Sequence, residues 1–553
     1  MSFTDIPMTA PLESVFPAFS DAQIDRVAAH GRMRTVTAGE VLYEQGAAAI
    51  PFFVLLTAEL EVVLPGPGSR RVGISGRGRF SGEINSLSGR RTLFRVQVSR
   101  SGDLIELDRS QMMTLVQNDA EIDEIILRAF ILRRASFISN GTGDVVLLGS
   151  LHSAGTVRLK AFLTRNGHPY TYLDIERDKE IEPFIATFGI GVTEIPVVIC
   201  RGQVVLRNPS NREVADCLGY NDSIDRTHLR DVVVIGAGPA GLACAVYGAS
   251  EGLDVLMIEN NAPGGQAGSS SRIENYLGFP TGISGRELTA RAYTQAEKFG
   301  AELLFDRAVQ LHCDRTPYRV QLENGGDIAA RTIVIASGVQ YKKSSLPGVD
   351  RFENAGIFYA ATPVESQLCA GEEVIVVGGG NSAGQAAVSL AKSASRVYIL
   401  VRSANLASSM SRYLIRQIQD TPNIDLLLNT EIVALTGDEC LRGVRWKNGE
   451  SGRDEERAIG YVFMMTGASP NTAWLAGCVA VDDFGFVKTG SSLTPEELAE
   501  AGWALTRPPY LLETSLAGVF AVGDVRAASV KRVASAVGEG SISISFVHQI
   551  VEH

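Results

Sequence analysis

The chain has 553 residues, of which 45% are hydrophobic and 20% are charged, as in ordinary globular proteins. This length predicts about three or four domains of roughly 150 residues each. The formal net charge of −11 argues against general nucleic-acid binding. Residues 1–16 include Asp5 and Glu13 and lack the basic start and apolar core of a signal peptide, so we predict a cytoplasmic protein with no membrane partner.

The cysteines are scattered along the chain, and none of them forms a C-x-x-C motif. They are Cys200, Cys217, Cys244, Cys313, Cys369, Cys440 and Cys478. Neighbouring sulfurs therefore cannot build a redox dithiol motif or a zinc knuckle, and we predict no metal site. We expect most of these cysteines to be small buried hydrophobic residues.

Residues 1–136 alternate short apolar runs with glycine-rich turns and end in a helical stretch, a pattern typical of a small β-roll with helices. The predicted strands are 41–43, 52–56, 60–64 and 104–107, and the predicted helix is 122–134. We therefore expect an N-terminal β-roll domain over residues 1–136.

A possible anion site lies inside this domain. Residues 80–84 read Phe-Ser-Gly-Glu-Ile, and Arg90 and Arg91 follow. The segment resembles the phosphate cassette of cyclic-nucleotide-binding domains, and the turns at 39 and 45–46 fit the same family. The resemblance implies that Gly82 and Glu83 hold the ribose and that Arg90 or Arg91 binds the cyclic phosphate.

The arginine content of this region supports an anion site, since eight arginines and a single acid, Glu83, lie between residues 64 and 100. The alternative is a degenerate module with a solvated basic face. That alternative stays open because Asn85 and Ser86 replace the small apolar residues usual after the glutamate, and the arginine falls one place early.

Residues 137–227 predict a strand at 144–149, a helix at 156–166 and strands at 170–175 and 197–200. This order resembles glutaredoxins and thioredoxins, and Pro196 stands where that family has a cis-proline. The family's C-x-x-C would fall on residues 153–156, where Ser153 and Thr156 cannot form a disulfide. We predict a thioredoxin-like α/β module with a structural or docking role, and we interpret His152 as a loop histidine.

The most informative stretch runs from residue 231 to residue 259. A β-branched strand at 231–235 leads into Gly236-Ala237-Gly238-Pro239-Ala240-Gly241, a helix at 239–250, and a second strand that ends at Glu259. In this pattern the first glycine allows the tight turn, the second lets a pyrophosphate approach, and the third packs the helix on the strand. Glu259 is placed to accept hydrogen bonds from a ribose. The stretch predicts an adenine dinucleotide site.

Four further segments make the C-terminal three-fifths of the chain resemble the low-molecular-weight thioredoxin reductases. They are Gly264-Gly265-Gln266, Ile273-Glu274-Asn275-Tyr276, residues 332–338 ending in Ala336-Ser337-Gly338, and residues 518–524 ending in Gly523-Asp524. The resemblance implies FAD as cofactor, a homodimer, and a FAD-binding domain in two halves, residues 228–345 and 467–553.

The resemblance also implies which residues contact FAD. Beyond the first glycine turn and Glu259, the expected contacts are Gly265, Gln266, Asn275, Ala336, Gly338, Gly523, Asp524, Arg532, Val533 and Ala534. The helix that begins near Arg532 would direct its amino end at the flavin, which favours negative charge on the reduced ring.

A second βαβ pattern lies between the FAD halves and predicts an NAD(P)H-binding domain over residues 346–466. Its turn reads Gly378-Gly379-Gly380-Asn381-Ser382-Ala383 and is followed by a helix and a strand at 396–401. Arg402 stands where an acid would select NADH, so we predict NADPH, with NADH as the alternative. Arg412 is a candidate for a second phosphate ligand.

The chain departs from the resembled family at residues 359–363, Tyr-Ala-Ala-Thr-Pro. The family carries its redox C-x-x-C there, whereas the two positions are Ala360 and Pro363 in this chain. Neither side chain can form a thiolate, so the ordinary route of thioredoxin reduction is excluded. Cys369 is expected to be a core residue rather than a nucleophile.

A second departure is a short acidic helix predicted at 494–502 ahead of the last FAD strand. Trp503 and Arg507 beside it are candidates to reach the flavin, and a surface insertion is the alternative.

The sequence thus predicts a multidomain protein: a β-roll, a thioredoxin-like α/β module and two Rossmann-like FAD/NAD(P)-binding domains. The predicted function is hydride transfer from NADPH to FAD, with oxygen, a quinone or a redox protein as the electron acceptor. One alternative is a nucleotide-sensing or redox-sensing regulatory flavoprotein with little turnover, in which a cyclic nucleotide binds the first domain. Another is thioredoxin reduction through non-standard cysteines.

Overall fold

A computed structural model describes most of the chain. The described residues are 16–48, 50–63, 71–74, 76–88, 91–139, 145–150, 153–175, 194–200, 204–270, 272–342, 344, 346–353, 355–359, 361, 363–407, 409–438 and 440–551. The chain divides into two compact units. Unit 1 comprises residues 1–151, 158–225 and 294–305, and unit 2 comprises residues 152–157, 226–293 and 306–553.

The first part of unit 1 is a β-roll made of two four-stranded antiparallel sheets, with strand orders β1-β8-β3-β6 and β2-β7-β4-β5. The strands are β1 (Arg32–Val36), β2 (Val41–Tyr43), β3 (Phe52–Leu55), β4 (Glu59–Val63), β5 (Arg71–Ile74), β6 (Phe80–Ser81), β7 (Arg95–Arg100) and β8 (Gly102–Leu107). All four predicted strands are present within one or two residues. The turns at Gly39 and Gly46 have φ of +90° and +81°, a conformation that favours glycine.

Four helices accompany the roll: α1 (Asp21–Ala28), α2 (Glu83–Ser88), α3 (Arg109–Asn118) and α4 (Ala120–Ser139). The predicted helix at 122–134 therefore extends further in both directions. Arg133 of α4 is buried and pairs with the buried carboxylate of Glu83 at 2.8 Å. Its guanidinium also lies over the rings of Phe16 and Phe80, at 4.7 and 4.9 Å from their centroids, so one cation ties α4 to the start of α2.

The next part of unit 1 has a four-stranded sheet of order β10-β9-β11-β12. Its elements are β9 (Val145–Gly149), α5 (Ala154–Arg165), β10 (Tyr170–Asp174), β11 (Val197–Cys200), β12 (Val204–Arg207) and α6 (Asn211–Leu218). Strands β9 and β10 are parallel, whereas β11 pairs antiparallel with β9 and with β12. The Ile195–Pro196 peptide bond is cis. His152 lies outside the described residues.

Unit 1 also holds β15 (Glu302–Phe305) and the end of α8 (Gly285–Lys298). The turn after α6 binds to this strand: the side-chain oxygen of Asn221 accepts the Phe305 N–H at 2.8 Å, and its amide donates to the Phe305 carbonyl at 3.1 Å. Tyr220 packs on the Phe305 ring with centroids 5.1 Å apart.

Unit 2 begins with a mostly parallel sheet, called here the main sheet. Among the strands of this unit its order is β14-β13-β18-β17-β16, and β29 pairs with β18. The elements are β13 (Arg230–Ile235), α7 (Pro239–Ser250), β14 (Val255–Glu259), β16 (Ala308–His312), β17 (Tyr318–Leu322), β18 (Asp327–Ile335), β29 (Val519–Ala521) and α14 (Val533–Val551). Parallel strands β14, β13, β18 and β29 are apolar and buried, as expected for a sheet covered on both faces.

A second parallel sheet, called here the inserted sheet, interrupts the chain between β18 and β29. Its order is β20-β27-β21-β22-β23. The elements of this region are α9 (Val349–Phe352), β20 (Ile357–Phe358), α10 (Pro363–Leu368), β21 (Glu373–Val377), α11 (Asn381–Leu390), β22 (Arg396–Val401), α12 (Arg412–Asp420), β23 (Ile424–Leu428), β24 (Thr430–Gly437), β25 (Leu441–Asn448), β26 (Asp454–Arg457) and β27 (Val462–Met464). Strands β24, β25 and β26 form a separate antiparallel sheet.

The chain passes between the main and inserted sheets through a two-stranded antiparallel ribbon, β19 (Val339–Tyr341) and β28 (Ala468–Pro470). After β28 comes an insertion with the short helix α13 (Pro495–Glu500), capped by Thr494. This helix confirms the acidic helix expected at 494–502. Within the described part of the chain, no helix is both long enough and apolar enough to cross a membrane.

The Glu83–Arg133 pair is expected to stabilise the β-roll. Replacing Glu83 with Gln leaves a buried guanidinium without its counter-charge, a change that typically costs about 3–5 kcal/mol. Hydrogen–deuterium exchange of strand β3 should therefore accelerate in the full-length variant. Arg77→Met, which breaks an exposed pair with Asp21, is the control and should leave that exchange unchanged. Unchanged exchange in Glu83→Gln would contradict the role of the pair.

Candidate functional site

The first glycine turn lies between β13 and α7 and can be built only with glycine. Gly236 has φ of +105°, and a Cβ there would lie 2.4 Å from the Ala336 carbonyl oxygen. A Cβ on Gly241 would lie 1.9 Å from the Gly236 oxygen. At Gly238, the N-cap of α7, the nearest atom would be 3.9 Å away. The backbone at the helix amino end is therefore open to the approach of a group such as a diphosphate.

Glu259 ends β14 beside this turn. One carboxylate oxygen accepts the Ala237 N–H at 3.0 Å and the other accepts the Asn261 N–H at 3.0 Å. Two backbone donors thus fix the side chain. Pro239 and Ala240 form the first turn of α7.

The segment expected to wrap the flavin is attached to the same turn. The Gly264 N–H donates to the Ala237 carbonyl at 2.7 Å, and a Cβ on Gly265 would approach Gly238 to 3.0 Å. The Gln266 side chain donates to the Val339 carbonyl at 2.5 Å, which joins this loop to the ribbon. Asn275 is exposed in a stretch that includes Leu277, itself 94% exposed.

The strand that returns towards the dinucleotide site is β18, which leads to buried Ala336 and to Gly338, whose φ is +63°. Asn471, which follows strand β28 of the ribbon, fixes this turn. Its backbone N–H donates to Gly338 at 3.1 Å, and its side-chain amide donates to the Ser337 carbonyl at 2.9 Å. Ser337 donates in return to the Asn471 carbonyl at 2.8 Å. Sequence reasoning missed Asn471.

The second glycine-aspartate segment follows β29 and is held by an acid from α14. The Gly523 N–H donates to Glu539 at 2.7 Å, and Arg526 pairs with the same carboxylate at 2.5 Å. Asp524 lies between Gly523 and Arg526 in the sequence. Burial raises the pKa of the Asp524 carboxyl, Lys531 lowers it and Glu539 raises it. Sequence reasoning missed Glu539, although it is the single acid in the apolar helix 533–551 and could have been noticed on that ground.

The loop from Asp524 to α14 carries local strain. Ala528 has φ of +58°, which is unfavourable for a residue with a Cβ. The surrounding bonds hold it there, including the Ala527 N–H to the Val487 carbonyl at 2.8 Å. Arg532 immediately precedes α14, while Val533 and Ala534 form its first turn, so the amino end of the helix follows the segment that carries Asp524.

The glycine turn between β21 and α11 of the inserted sheet has the same arrangement as the first glycine turn. A Cβ on Gly378 would lie 2.4 Å from the Met465 carbonyl oxygen, and Gly380 is the N-cap of α11. Asn381 accepts the Ser411 N–H at 2.8 Å, and Ser382 and fully buried Ala383 continue the helix. Arg402 is exposed at the end of β22, and Arg412 begins α12. The glycine turn and Arg402 therefore follow the carboxyl ends of the neighbouring parallel strands β21 and β22.

The described residues between β20 and β21 include a buried thiol. Ala360 and the side chain of Pro363, the first residue of α10, lie outside the described residues. Cys369 is fully buried in the core of the inserted sheet, packed with Val374 and Ala387, so the prediction of a core cysteine is confirmed.

Two other cysteines correct the expectation from the sequence. Cys313 and Cys478 form a disulfide across 165 residues, with Cα atoms 5.9 Å apart. This pairing could not be predicted from the sequence because the two partners are far apart in the chain. Of the remaining five, Cys200, Cys244 and Cys369 are buried, as expected, and Cys217 and Cys440 are half-buried.

Trp503 and Arg507, the candidates to reach the flavin, make contacts within the insertion itself. Arg507 forms two bonds to the fully buried carboxylate of Glu513, at 2.6 and 3.1 Å, and stacks on Tyr510. Trp503 donates to the Arg507 carbonyl at 2.9 Å. Both side chains therefore hold the insertion in place, which favours the alternative of a structural surface insertion.

The cassette residues of the β-roll are already engaged within unit 1. Gly82 has φ of +100°, and a Cβ there would meet the Pro51 carbonyl oxygen at 2.3 Å. Glu83 pairs with Arg133, as described above. Arg91 forms an ion pair with Asp222, which follows α6. Arg90 lies outside the described residues.

Two glycine turns at the amino ends of helices, each after a buried parallel strand, define a flavoprotein class with two dinucleotide sites on Rossmann-type domains. Comparison with known families agrees. Residues 230–540 match the pyridine nucleotide-disulphide oxidoreductase family, and the chain belongs to it. Residues 33–119 match the cyclic nucleotide-binding domain family. The cofactors of the thioredoxin reductase-like enzymes in this family are FAD and NADPH, and the cradle at Gly238 fits such a dinucleotide.

The relatives are thioredoxin reductases. The chain is 31% identical over 323 residues to thioredoxin reductase of Bacillus subtilis, covering 58% of this chain and 95% of that protein. It is 30% identical over 359 residues to NADPH-dependent thioredoxin reductase 3 of Arabidopsis thaliana, covering 62% and 64%. A Lactococcus lactis thioredoxin reductase structure matches 58% of this chain and 99% of its own, with 26% identity and a TM-score of 0.52.

Glu539 is expected to support FAD binding without being a ligand. Glu539→Gln removes the charge that holds Arg526 and weakens the bond to Gly523, so the segment carrying Asp524 should become less ordered. We expect the dissociation constant of FAD from the apoprotein to rise roughly tenfold, since a charged hydrogen bond is worth about 1.5–3 kcal/mol. Quenching of FAD fluorescence on binding measures this constant.

Glu251→Gln is the control for this experiment, because Glu251 follows α7 and bonds to His548 in the last turn of α14, at the opposite end of that helix from Arg532. It should leave FAD affinity unchanged. Equal affinity in the Glu539 variant and the parent protein would show that the carboxylate does not position the segment.

Proposed function

We propose that the protein is a FAD-dependent NADPH oxidoreductase that delivers electrons to an acceptor other than a C-x-x-C disulfide of its own. The observation that carries the proposal is the combination of two dinucleotide turns with Ala360 and Pro363 at the two dithiol positions. When bound, FAD accepts a hydride from NADPH and passes two electrons on. Oxygen, a quinone and a redox protein are the candidate acceptors.

In this proposal the protein residues bind and orient the cofactors rather than transfer protons. Gly236, Gly238 and Gly241 admit the diphosphate of FAD, Glu259 binds its ribose, and Asp524 binds the ribityl chain. Gly378, Gly380 and Asn381 take the corresponding role for NADPH, and Arg402 binds the ribose 2′-phosphate.

Disulfide reduction through a distant cysteine is the weaker alternative. Cys369 follows α10 in the sequence, yet it has no exposed surface and lies in an apolar core. Burial among apolar groups disfavours the thiolate that such chemistry needs. Cys369→Ser is therefore expected to leave turnover unchanged.

The identity of the acceptor can be tested by anaerobic titration. NADPH should bleach the visible absorbance of the bound flavin at one equivalent, and NADH should need a higher concentration because Arg402 favours the 2′-phosphate. Re-oxidation should be faster with oxygen or a quinone than with oxidised thioredoxin. Flavin that is not bleached by either nucleotide would refute the oxidoreductase proposal, and fastest re-oxidation by thioredoxin would refute the proposed acceptor class.

We also infer that residues 137–227 form a thioredoxin-like domain without thiol chemistry. The support is the strand order β10-β9-β11-β12, with one parallel and two antiparallel pairings. Ser153 stands at the amino end of α5, where its carbonyl accepts the Val157 N–H at 3.1 Å, and Thr156 is fully buried. These hydroxyl residues replace the two thiols, so the domain has a structural or docking role.

A second candidate function is regulation by a cyclic nucleotide, and the ion pair between Arg91 and Asp222 favours it. Arg91 is a predicted phosphate ligand and pairs with Asp222. Asp222 lies in the turn after α6, next to Asn221, whose side chain bonds to strand β15. A cyclic phosphate and the Asp222 carboxylate would compete for the same guanidinium. Ligand binding would then release the turn that leads into the FAD-binding segment.

This competition predicts opposite effects for the two partners. Asp222→Asn should tighten binding of cyclic AMP or cyclic GMP by about threefold, since a partly exposed ion pair contributes modestly. Arg91→Gln should abolish binding. Isothermal titration calorimetry measures both, with Asp21→Asn, which breaks a comparable exposed pair with Arg77, as the control. Equal affinity in the parent and Asp222→Asn proteins would contradict the competition.

A further inference from the structure

The cysteine pair Cys313–Cys478 has no counterpart in the function proposed above. Cys313 directly follows β16, the last strand in the order of the main sheet, and Cys478 follows the short helical turn Ala473–Leu475. Their Cα separation of 5.9 Å lies in the range that a disulfide requires. Both side chains are half-buried. We infer that this pair is a reversible thiol–disulfide site and that its oxidation state controls the anchoring of the segment after the ribbon.

The position of the pair gives it this role. Residues 471–478, called here the return segment, bring the chain from the inserted sheet back onto the main sheet. Asn471 begins the segment and is bonded to Ser337 and Gly338 at the end of β18. Cys478 ends it and is bonded covalently to Cys313 beside β16. Oxidation therefore attaches the return segment to the main sheet at both ends.

Reduction would remove the covalent attachment of the return segment to the main sheet. Noncovalent contacts remain along the segment, among them the buried Leu475 side chain, the Trp474 indole N–H to the Asn471 carbonyl at 3.1 Å and the Thr472 hydroxyl to the Gly485 carbonyl at 2.9 Å. Because Gly338 is one of the residues assigned to FAD, loosening this segment should weaken FAD retention. This last consequence rests on the proposed FAD site, whereas the chemistry of the sulfurs does not.

The exposure of the pair distinguishes it from the fully buried cysteines. Cys369 and Cys244 are completely buried, and burial raises the pKa of the Cys244 thiol to about 12, so neither is available to exchange. The sulfurs of Cys313 and Cys478 lie in half-buried side chains that a small dithiol can reach. A dithiol thiolate attacks one sulfur and forms a mixed disulfide, and its second thiol then displaces the protein sulfur.

The reaction balances as one dithiol oxidised to a cyclic disulfide and one protein disulfide reduced to two thiols. Two hydrogens pass from the reductant to Cys313 and Cys478. A dithiol of the dithiothreitol class is therefore sufficient, and neither NADPH nor flavin is needed. Re-oxidation requires a disulfide, such as the oxidised form of the same dithiol, as the electron acceptor.

The test uses the full-length protein with bound FAD, prepared with excess oxidised dithiothreitol or treated with dithiothreitol and desalted without oxygen. Alkylation under denaturing conditions followed by mass spectrometry should count five alkylated cysteines in the oxidised form and seven after reduction. Reduction should lower the melting temperature by about 5 °C, because the disulfide closes a long loop in the unfolded chain. FAD should also dissociate faster from the reduced protein.

Cys313→Ser/Cys478→Ser is the variant that isolates the pair. Its melting temperature and FAD release should match those of the reduced parent protein and should not respond to dithiothreitol. Cys440→Ser, which removes a half-buried free thiol, should behave as the parent protein does. Seven alkylated thiols under oxidising conditions would overturn the inference, as would a melting temperature that reduction leaves unchanged. Both readouts are independent of the electron acceptor.

Discussion

The FAD-binding part depends on one constraint. Backbone segments approach each other so closely at certain glycines that no side chain would fit there. Gly236 and Gly241 let β13 turn sharply into α7. Gly540 lets α14 approach the same helix, because a Cβ there would lie 2.3 Å from the Ala240 carbonyl oxygen. Helix α7 therefore packs against both β13 and α14, which are about three hundred residues apart in the chain. Any larger residue at these positions would separate the two halves of the dinucleotide site.

Carboxylates then fix the loops that these contacts bring together. Glu259 binds backbone donors of the first turn, and Glu539 binds the backbone of the second signature and the guanidinium of Arg526. Neither acid needs to exchange protons for hydride transfer. Their role is to hold polar backbone groups in a defined position. The strained backbone at Ala528 is held by neighbouring bonds, such as the Ala527 N–H to the Val487 carbonyl.

The family of the C-terminal part and the proposed reaction rest on different observations. Matches to thioredoxin reductases cover about three-fifths of the chain, whereas the proposed function rests on Ala360 and Pro363, neither of which contains sulfur. The buried state of Cys369 and the remote disulfide of Cys313 and Cys478 leave the flavin as the reacting group in the proposed function. Domain fold and reaction are therefore separable in this chain.

The sequence by itself determined the β-roll strands, both glycine turns and the helix 239–250, because local patterns of glycine and β-branched residues encode them. It also determined that the chain contains no C-x-x-C motif, since residue identities alone decide this. Only the tertiary structure decided that Glu539 and Asn471 support the FAD segments, that Arg507 binds Glu513, and that Arg91 meets Asp222. It alone paired Cys313 with Cys478. These contacts join residues far apart in the chain, and no local periodicity records which distant segments the packing of the sheets will bring together.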